Sequence, residues 1–209
     1  MSLQTLEEIK CPCGEAFEAE VYQSVSAGED PELKELILGG EFNMVECPEC
    51  RNVIYAERFV LYHDRSQELL AFVYPIKMKD QKEHVAVDMK RTYDALRHAL
   101  PEGESLDYIP FALFGMDELC HILTLEDEMA DEAEVAAYIC KELGLKPKRV
   151  EKSAARKKGI PPVLPLKESE GDLRQKVLAG VQALLQKNDR LVHYQALLSR
   201  LQSDSNWTI

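Results

Sequence analysis

Alternating polar and apolar side chains dominate the first third of the chain. Residues 5–10 and 16–25 follow this alternation on either side of a short turn, which predicts the two strands of a hairpin. Residues 53–62 and 68–74 predict a second hairpin, because the polar sequence HDRSQ joins them. The pattern therefore predicts an antiparallel β domain over residues 1–75.

A short helix is predicted between the two hairpins, in the sequence PELKELIL. Asp30 and Pro31 stand where it would begin, and these residue types suit the N-cap and the first helical position. Apolar residues at helical spacing give the segment one face to bury. Gly39 and Gly40 predict its end, because glycine is common just beyond a helix C-terminus.

The middle of the chain changes to a helical period. Residues 88–99 predict a helix with one apolar stripe, and residues 108–115 predict a strand. A helix begins at MDELCHIL, and Thr124 then predicts the N-cap of a further helix over 125–143. We expect a central α/β or helical region over residues 76–160.

Two amphipathic helices are predicted at the C-terminal end, over residues 170–187 and 190–202. They follow a proline-rich stretch that predicts a linker or an extended docking segment. This stretch and the two helices form a third region, 161–209. Their apolar stripes are too wide for the helices to cover each other, so a further surface must bury them. We expect the hairpin to dock on the chain's own central helices, with a homodimer built on it as the alternative.

Composition and charge restrict the classes of protein that fit. With 45% hydrophobic and 30% charged residues, the chain resembles an ordinary soluble globular protein. The net charge of −12 argues against broad nucleic-acid binding. A basic run from Lys146 to Lys158 has no interleaved aromatic residues for base stacking, so we expect it to contact the protein's own acidic surface or solvent.

The same sequence predicts a cytoplasmic location. The longest apolar runs are too short to cross a bilayer, and the N-terminus has no apolar signal core. Six cysteines are too few for a disulfide scaffold in a chain of 209 residues. In a reducing compartment, closely spaced cysteine pairs favour metal binding instead.

Four cysteines form two such pairs, and these pairs organise the first third of the chain. Cys11 and Cys13 lie in the sequence KCPCG, and Cys47 and Cys50 lie in ECPECR. Four thiolates arranged tetrahedrally suit Zn²⁺. We therefore predict one structural zinc ion per chain, bound by these four cysteines, with no catalytic and no other cofactor-binding residues.

A four-thiolate zinc site leaves no open coordination position, which makes it structural rather than catalytic. Its net charge would be −2, and Lys10 and Arg51 flank the pairs and could offset it. The strand–turn–strand pattern repeated around each pair predicts a zinc ribbon. The fold class expected for the chain is α+β, with an N-terminal zinc-ribbon-like domain followed by a mostly helical region and the C-terminal hairpin.

The motifs CPCG, EDPELKELILGGEFN, CPEC and VLYHD resemble the CpXC domain family of prokaryotic proteins over about residues 8–75. The later pieces FGMDEL and AARKKGIPPVLP are similar to the C-terminal extension common in that family. The resemblance implies zinc ligands at Cys11, Cys13, Cys47 and Cys50, and it implies no particular enzymatic activity. Family members carry a glycine after the second pair, where this chain has Arg51. If that position requires a positive φ, Arg51 is strained by about 1 kcal/mol or more. The alternative is that Asn52 takes the left-handed turn instead.

Other reactive side chains favour structural roles. Cys120 and His121 are adjacent, and neighbouring helical residues point about 100° apart, so they are poorly placed to form a nucleophilic pair. Cys140 lies on an apolar helical stripe and is predicted to be core. The pair His63 and Asp64 lies in a hairpin loop and predicts a solvated turn rather than an acid–base pair.

The sequence thus favours a zinc-binding protein that is a non-catalytic binding or regulatory module, with a protein partner rather than nucleic acid or membrane. One alternative is a redox-responsive zinc-thiolate switch, because the redox-activated heat-shock chaperone also combines a CxC pair with a distant CxxC pair. Another is an enzyme whose site lies outside the ribbon. No phosphate-binding loop, HExxH or GxSxG motif supports that second alternative.

Overall fold

A computed structural model describes residues 2–100, 106–168 and 171–208 of the chain, and these residues have an α+β fold, as predicted. The strands are β1 (Leu3–Lys10), β2 (Ala16–Ser26), β3 (Met44–Glu46), β4 (Val53–Tyr55), β5 (Val60–Asp64), β6 (Leu69–Tyr74), β7 (Phe111–Phe114), β8 (Lys146–Arg149) and β9 (Val163–Leu166). The helices are α1 (Glu32–Leu38), α2 (Lys82–Ala99), α3 (Met116–Leu143), α4 (Lys152–Lys158), α5 (Leu173–Lys187) and α6 (Val192–Ser203).

The chain forms two compact units, Met1–Leu123 and Thr124–Ile209, and the boundary falls inside α3. In the part of the chain that the structure describes, no helix combines the length and the apolar character needed to cross a bilayer.

The first unit is built on a five-stranded sheet with the order β1-β2-β5-β6-β7. The pairs β1/β2 and β5/β6 are antiparallel, whereas β2/β5 and β6/β7 are parallel. The prediction of a purely antiparallel domain over residues 1–75 is therefore wrong, because the chain crosses over through α1, β3 and β4 between β2 and β5. Strand β6 has the sequence LLAFVY and is buried along its whole length, because both faces of the sheet are covered there. Leu69, Ala71 and Val73 pack with α1 and the start of α3, and the alternate residues of β6 pack with α2.

Two short strands, β3 and β4, form a separate antiparallel ribbon in the same unit. The prediction of one continuous strand over 53–62 is wrong, because the chain leaves this ribbon after Tyr55 and enters the five-stranded sheet at Val60. Ala56, between the two strands, is buried and donates its backbone N–H to the Asn43 carbonyl. The predicted hairpin turn is retained, and it joins β5 to β6.

Two predicted helix starts are also corrected. Thr124 does not begin a helix, because it lies inside α3, which continues for 28 residues without interruption. Asp30 does not cap α1 with its side chain; its carboxylate instead accepts a hydrogen bond from the backbone N–H of Ser2 at 2.8 Å. Both residue types suit an N-cap, but neither acts as one in the folded chain. Asp30 bonds Ser2 instead, and Thr124 lies within a continuous helix.

The second unit contains the end of α3, the β8/β9 hairpin and helices α4 to α6. The basic and proline-rich stretch is ordered: β8 pairs with β9, and α4 lies between them in sequence. A two-stranded sheet has only edge strands, which tolerate Pro147 and Pro165 in register with each other. Helix α5 begins with a capping box in which Asp172 and Gln175 each bond the other's backbone N–H.

The C-terminal helices bury their apolar stripes within this unit. Val177, Val181 and Leu184 of α5 and Leu197 and Leu201 of α6 are at most 1% exposed. They share one cluster with residues of α3, α4 and β9. The predicted docking on the chain's own elements is therefore confirmed, and a homodimer is not required to cover these stripes.

Candidate metal centre

The four cysteines lie at the tips of two ribbons. Cys11 and Cys13 occupy the turn that joins β1 to β2, and Cys47 and Cys50 occupy the turn that joins β3 to β4. Each turn contains a proline, a residue type that favours turns. Each also ends in a residue with positive φ, Gly14 in the first turn and Arg51 in the second. The turns therefore place two sulfurs on each ribbon tip.

Backbone hydrogen bonds close both turns. In the first turn the Gly14 N–H donates to the Cys11 carbonyl at 2.9 Å, and Gly14 has a φ of +102°. In the second turn the Arg51 N–H donates to the Cys47 carbonyl at 2.9 Å. Arg51 has a φ of +58°, so it adopts the left-handed conformation itself, and Asn52 does not take its place. The strain anticipated for Arg51 is therefore present.

The four sulfurs converge on one point. The Cys11 and Cys50 Sγ atoms are 3.5 Å apart, the Cys13 and Cys47 Sγ atoms are 3.8 Å apart, and all four lie within 4.8 Å of one another. Tetrahedral coordination with metal–sulfur bonds of about 2.3 Å requires sulfur–sulfur distances of about 3.8 Å. A disulfide requires about 2.05 Å, and all six cysteines of the chain are free thiols.

This cluster is distinctive in the described residues. No other group of three or more histidine, cysteine or acidic side chains there brings its ligand atoms as close together. Cys11 and Cys47 are buried, whereas Cys13 and Cys50 are exposed residues, so each pair combines a buried and an exposed cysteine. Lys10 and Arg51 flank the pairs as exposed cations.

The local environments shift the pKa values of Cys47 and Cys11 in opposite directions. Backbone N–H groups, first that of Cys50 and then that of Glu49, lower the pKa of Cys47 to about 7, although burial opposes them. At Cys11 the largest effect, the Cys13 N–H, lowers the pKa, but burial and the three neighbouring thiols together raise it to about 12. Of Cys11, Cys47 and Cys50, Cys47 is thus the thiol that ionises most readily, and a bound divalent cation would have to displace protons from the other two.

The protein core that holds the two ribbons together is small. Its apolar cluster has three buried members, Ile9, Val21 and Ala56, with a few partly buried neighbours from both ribbons around them. A two-stranded ribbon has little stability of its own in water. The apolar contacts alone therefore hold the two ribbons together weakly. A metal ion bound by the four sulfurs would crosslink them.

Asn43 supplies a second link between the ribbons. Its side-chain oxygen accepts a hydrogen bond from the Tyr22 N–H at 2.8 Å, and its side-chain nitrogen donates to the Tyr22 carbonyl at 2.9 Å. Asn43 is 7% exposed and has a φ of +53°. Sequence reasoning missed this role; the signal was an asparagine just after a Gly-Gly helix end, because asparagine tolerates the left-handed conformation.

The remaining reactive residues do not assemble a second site. His63 bonds the Tyr108 hydroxyl through Nε2, and Asp64 accepts hydrogen bonds from the Ser66 hydroxyl and the Gln67 N–H within its turn. Burial and, to a smaller extent, Arg65 lower the pKa of His63, although Asp64 opposes them. His63 and Asp64 therefore have separate structural partners. The predicted solvated turn is wrong, because both residues belong to β5 and Asp64 is buried.

Cys140 is buried in the second unit, and burial raises its pKa, in keeping with its predicted place in the core. Cys120 is half-buried and His121 is exposed, on consecutive positions of α3.

The basic run pairs with acidic groups of its own unit. The Arg156 guanidinium forms an ion pair with Glu126, and both side chains are about nine-tenths buried. Lys146 pairs with Glu168, and the Lys158 ammonium donates to the Thr208 carbonyl at 2.9 Å. These contacts agree with the expected pairing to the protein's own surface, and weak nucleic-acid binding stays a prediction.

Comparison with known protein families matches residues 9–136 to the model of the family described as CpXC protein. The match covers more than half of the chain and includes all four cysteines and most of α3. No curated protein and no solved structure matches the chain.

Proposed function

Because the chain belongs to the CpXC protein family, we propose that its first unit is a zinc-ribbon-like binding module built around a structural Zn²⁺ ion. Cys11, Cys13, Cys47 and Cys50 are the proposed ligands. The ion would fasten the β1/β2 ribbon to the β3/β4 ribbon, and the module would act by binding a protein partner rather than by catalysis.

The convergence of four free sulfurs from two ribbon tips is the observation that carries this proposal. Tetrahedral four-sulfur sites are typical of zinc and of iron–sulfur centres. The site supplies four protein ligands to a single point, which suits one zinc ion with no open position. A substrate would have no coordination position there, so the ion's contribution would be to folding.

Metal analysis of protein purified without added metal tests the assignment. We expect about one equivalent of zinc per chain in the native protein and a large loss of zinc in Cys47→Ala and Cys50→Ala. Cys120→Ala is the matched control, because Cys120 is a half-exposed thiol of the same unit outside the cluster. Full zinc occupancy in a Cys13→Ala, Cys50→Ala double variant, or iron in place of zinc in the native protein, would refute the assignment.

The exposure of Cys13 and Cys50 favours one second function, a redox-responsive zinc-thiolate switch. Exposed thiolates are the accessible targets of peroxide, and oxidation of a ligand would release the metal. A zinc-release assay with a chromogenic chelator separates the two functions. A structural ion stays bound at peroxide concentrations that leave Cys120 reduced, whereas a switch releases zinc first and recovers it after reduction.

A further inference from the structure

Asp117, at the start of α3, lines two cavities. The first has a volume of about 210 Å³ and the second about 420 Å³. Neither cavity contains any of the four cysteines of the proposed metal centre. Both belong to the first unit, and their linings are mainly apolar.

The first cavity joins the core to an exposed apolar surface. Phe42, Met44, Tyr55 and Met116 form much of its wall. Met44 and Tyr55 face each other across the β3/β4 ribbon and are 41% and 38% exposed. Val53 lies two residues before Tyr55 on β4 and is 60% exposed. Alternate residues of a strand share a face, so this apolar strip extends from the cavity along the ribbon.

The second cavity combines apolar walls with two carboxylates. Leu113 and Ile122 line it together with Asp117, Glu118 and His121. Glu118 is already engaged, because it accepts hydrogen bonds from the Lys79 ammonium at 3.0 Å and from the Phe114 N–H at 2.8 Å. Among the described residues, Asp117 has no ion-pair or hydrogen-bond partner.

The charge around the two cavities is negative. Burial first, and then the negative charges of Glu57 and Asp117, raise the pKa of Tyr55, which lines the first cavity together with Asp117. No lysine or arginine lines either cavity. This arrangement disfavours a phosphate or another anion and favours a cation held between two apolar groups.

We propose that this surface binds a segment of another protein that carries a lysine or arginine between two apolar side chains. The cation would meet Asp117, and one apolar side chain would enter each cavity. The first cavity, at about 210 Å³, is smaller than the roughly 300–1,000 Å³ of pockets that enclose drug-sized ligands, so it suits a single side chain better than a whole cofactor. The second, at about 420 Å³, lies near the lower end of that range and has room for a large side chain. The inference rests on the proposed role as a binding module and specifies the partner's chemistry.

Display of random twelve-residue peptides against the full-length, zinc-loaded protein tests the surface. We expect the enriched peptides to share a basic residue between apolar residues. Synthetic copies of these peptides should bind Asp117→Asn about two- to fivefold more weakly than native protein, the range for one partly exposed ion pair. Their binding to native protein should also weaken as salt is added.

Asp131→Asn is the matched control, because it removes a carboxylate at an exposed position of the same helix. It should leave peptide affinity unchanged, whereas Asp117→Lys should abolish the enrichment. Absence of enrichment, enriched peptides without a basic residue, or equal affinity for native protein and Asp117→Asn would each overturn the proposal. Self-association that light scattering shows to depend on Asp117 would also overturn it, because the occupant would then be a second copy.

Zinc content measured on the same samples separates this proposal from the metal assignment. Zinc-replete protein that selects no peptides rejects the surface and leaves the metal centre intact. Protein that lacks zinc when purified without added metal rejects the metal centre, whatever the peptides do.

Discussion

The link between the two ribbons through Asn43 gives the sharpest stability prediction. Asn43→Ala removes both hydrogen bonds to Tyr22, at 2.8 and 2.9 Å, and leaves a backbone N–H and a carbonyl without their partner. Each loss costs about 1 kcal/mol here, the lower end of the range for buried groups, because Tyr22 is only half-buried.

The backbone conformation adds to this cost. Asn43 has a φ of +53°, which asparagine tolerates and alanine disfavours by about 1 kcal/mol. We therefore expect Asn43→Ala to destabilise the first unit by about 3 kcal/mol, from the two lost bonds and the strain together. Asn43→Gly is the matched variant, because it also loses the bonds but accepts the positive φ, and it should cost about 1 kcal/mol less.

Two probes separate the units in this experiment. Trp207 is the chain's only tryptophan and is buried in the second unit, so its fluorescence reports urea unfolding of that unit. Hydrogen exchange at the Tyr22 and Ala56 amides reports the ribbons, because these amides bond Asn43 in the native state.

We expect faster exchange at both amides in zinc-loaded Asn43→Ala and an unchanged transition of Trp207. Unchanged exchange at Tyr22, or a glycine variant less stable than the alanine variant, would refute the reasoning.

Three further predictions address other parts of the chain. Arg51→Gly should stabilise the zinc-loaded first unit by about 1 kcal/mol, because it relieves the positive φ at the second turn; a loss of stability in urea unfolding followed by far-UV circular dichroism would count against this. Gly180→Ala should destabilise the second unit by about 1–3 kcal/mol or more, because the added Cβ would lie 2.1 Å from the Pro165 carbonyl oxygen; an unshifted Trp207 fluorescence transition would contradict it. Burial lowers the pKa of His63 below its unfolded value of about 6.5. The stability that neutral His63 contributes is therefore present above that pH and is lost as the pH falls below it. His63→Gln should flatten this part of the pH profile of stability, and an unaltered slope would exclude the linkage.

The four cysteines of the candidate metal centre could be identified from the sequence because their signal is local. A CxC and a CxxC pair, each in a proline-containing turn between alternating segments, place two sulfurs at each turn whatever the rest of the chain does. The match to the CpXC family, over residues 9–136, includes these motifs. Contacts between distant segments were not predicted: Asn43 bonds Tyr22, which is 21 residues away, and Asp117 lines a cavity formed by segments far apart in sequence.

Local patterns also determined most helices and strands, since an apolar period shows which face of a segment needs burial. They did not determine what buries it. Residues 53–62 were read as one strand because their alternation continues, yet β4 pairs with β3 and β5 pairs with β2 and β6. Thr124 has the side chain of an N-cap, but α3 passes through it. Strand pairing, parallel order and helix continuity depend on contacts between residues far apart in sequence, and only the folded chain brings those residues together.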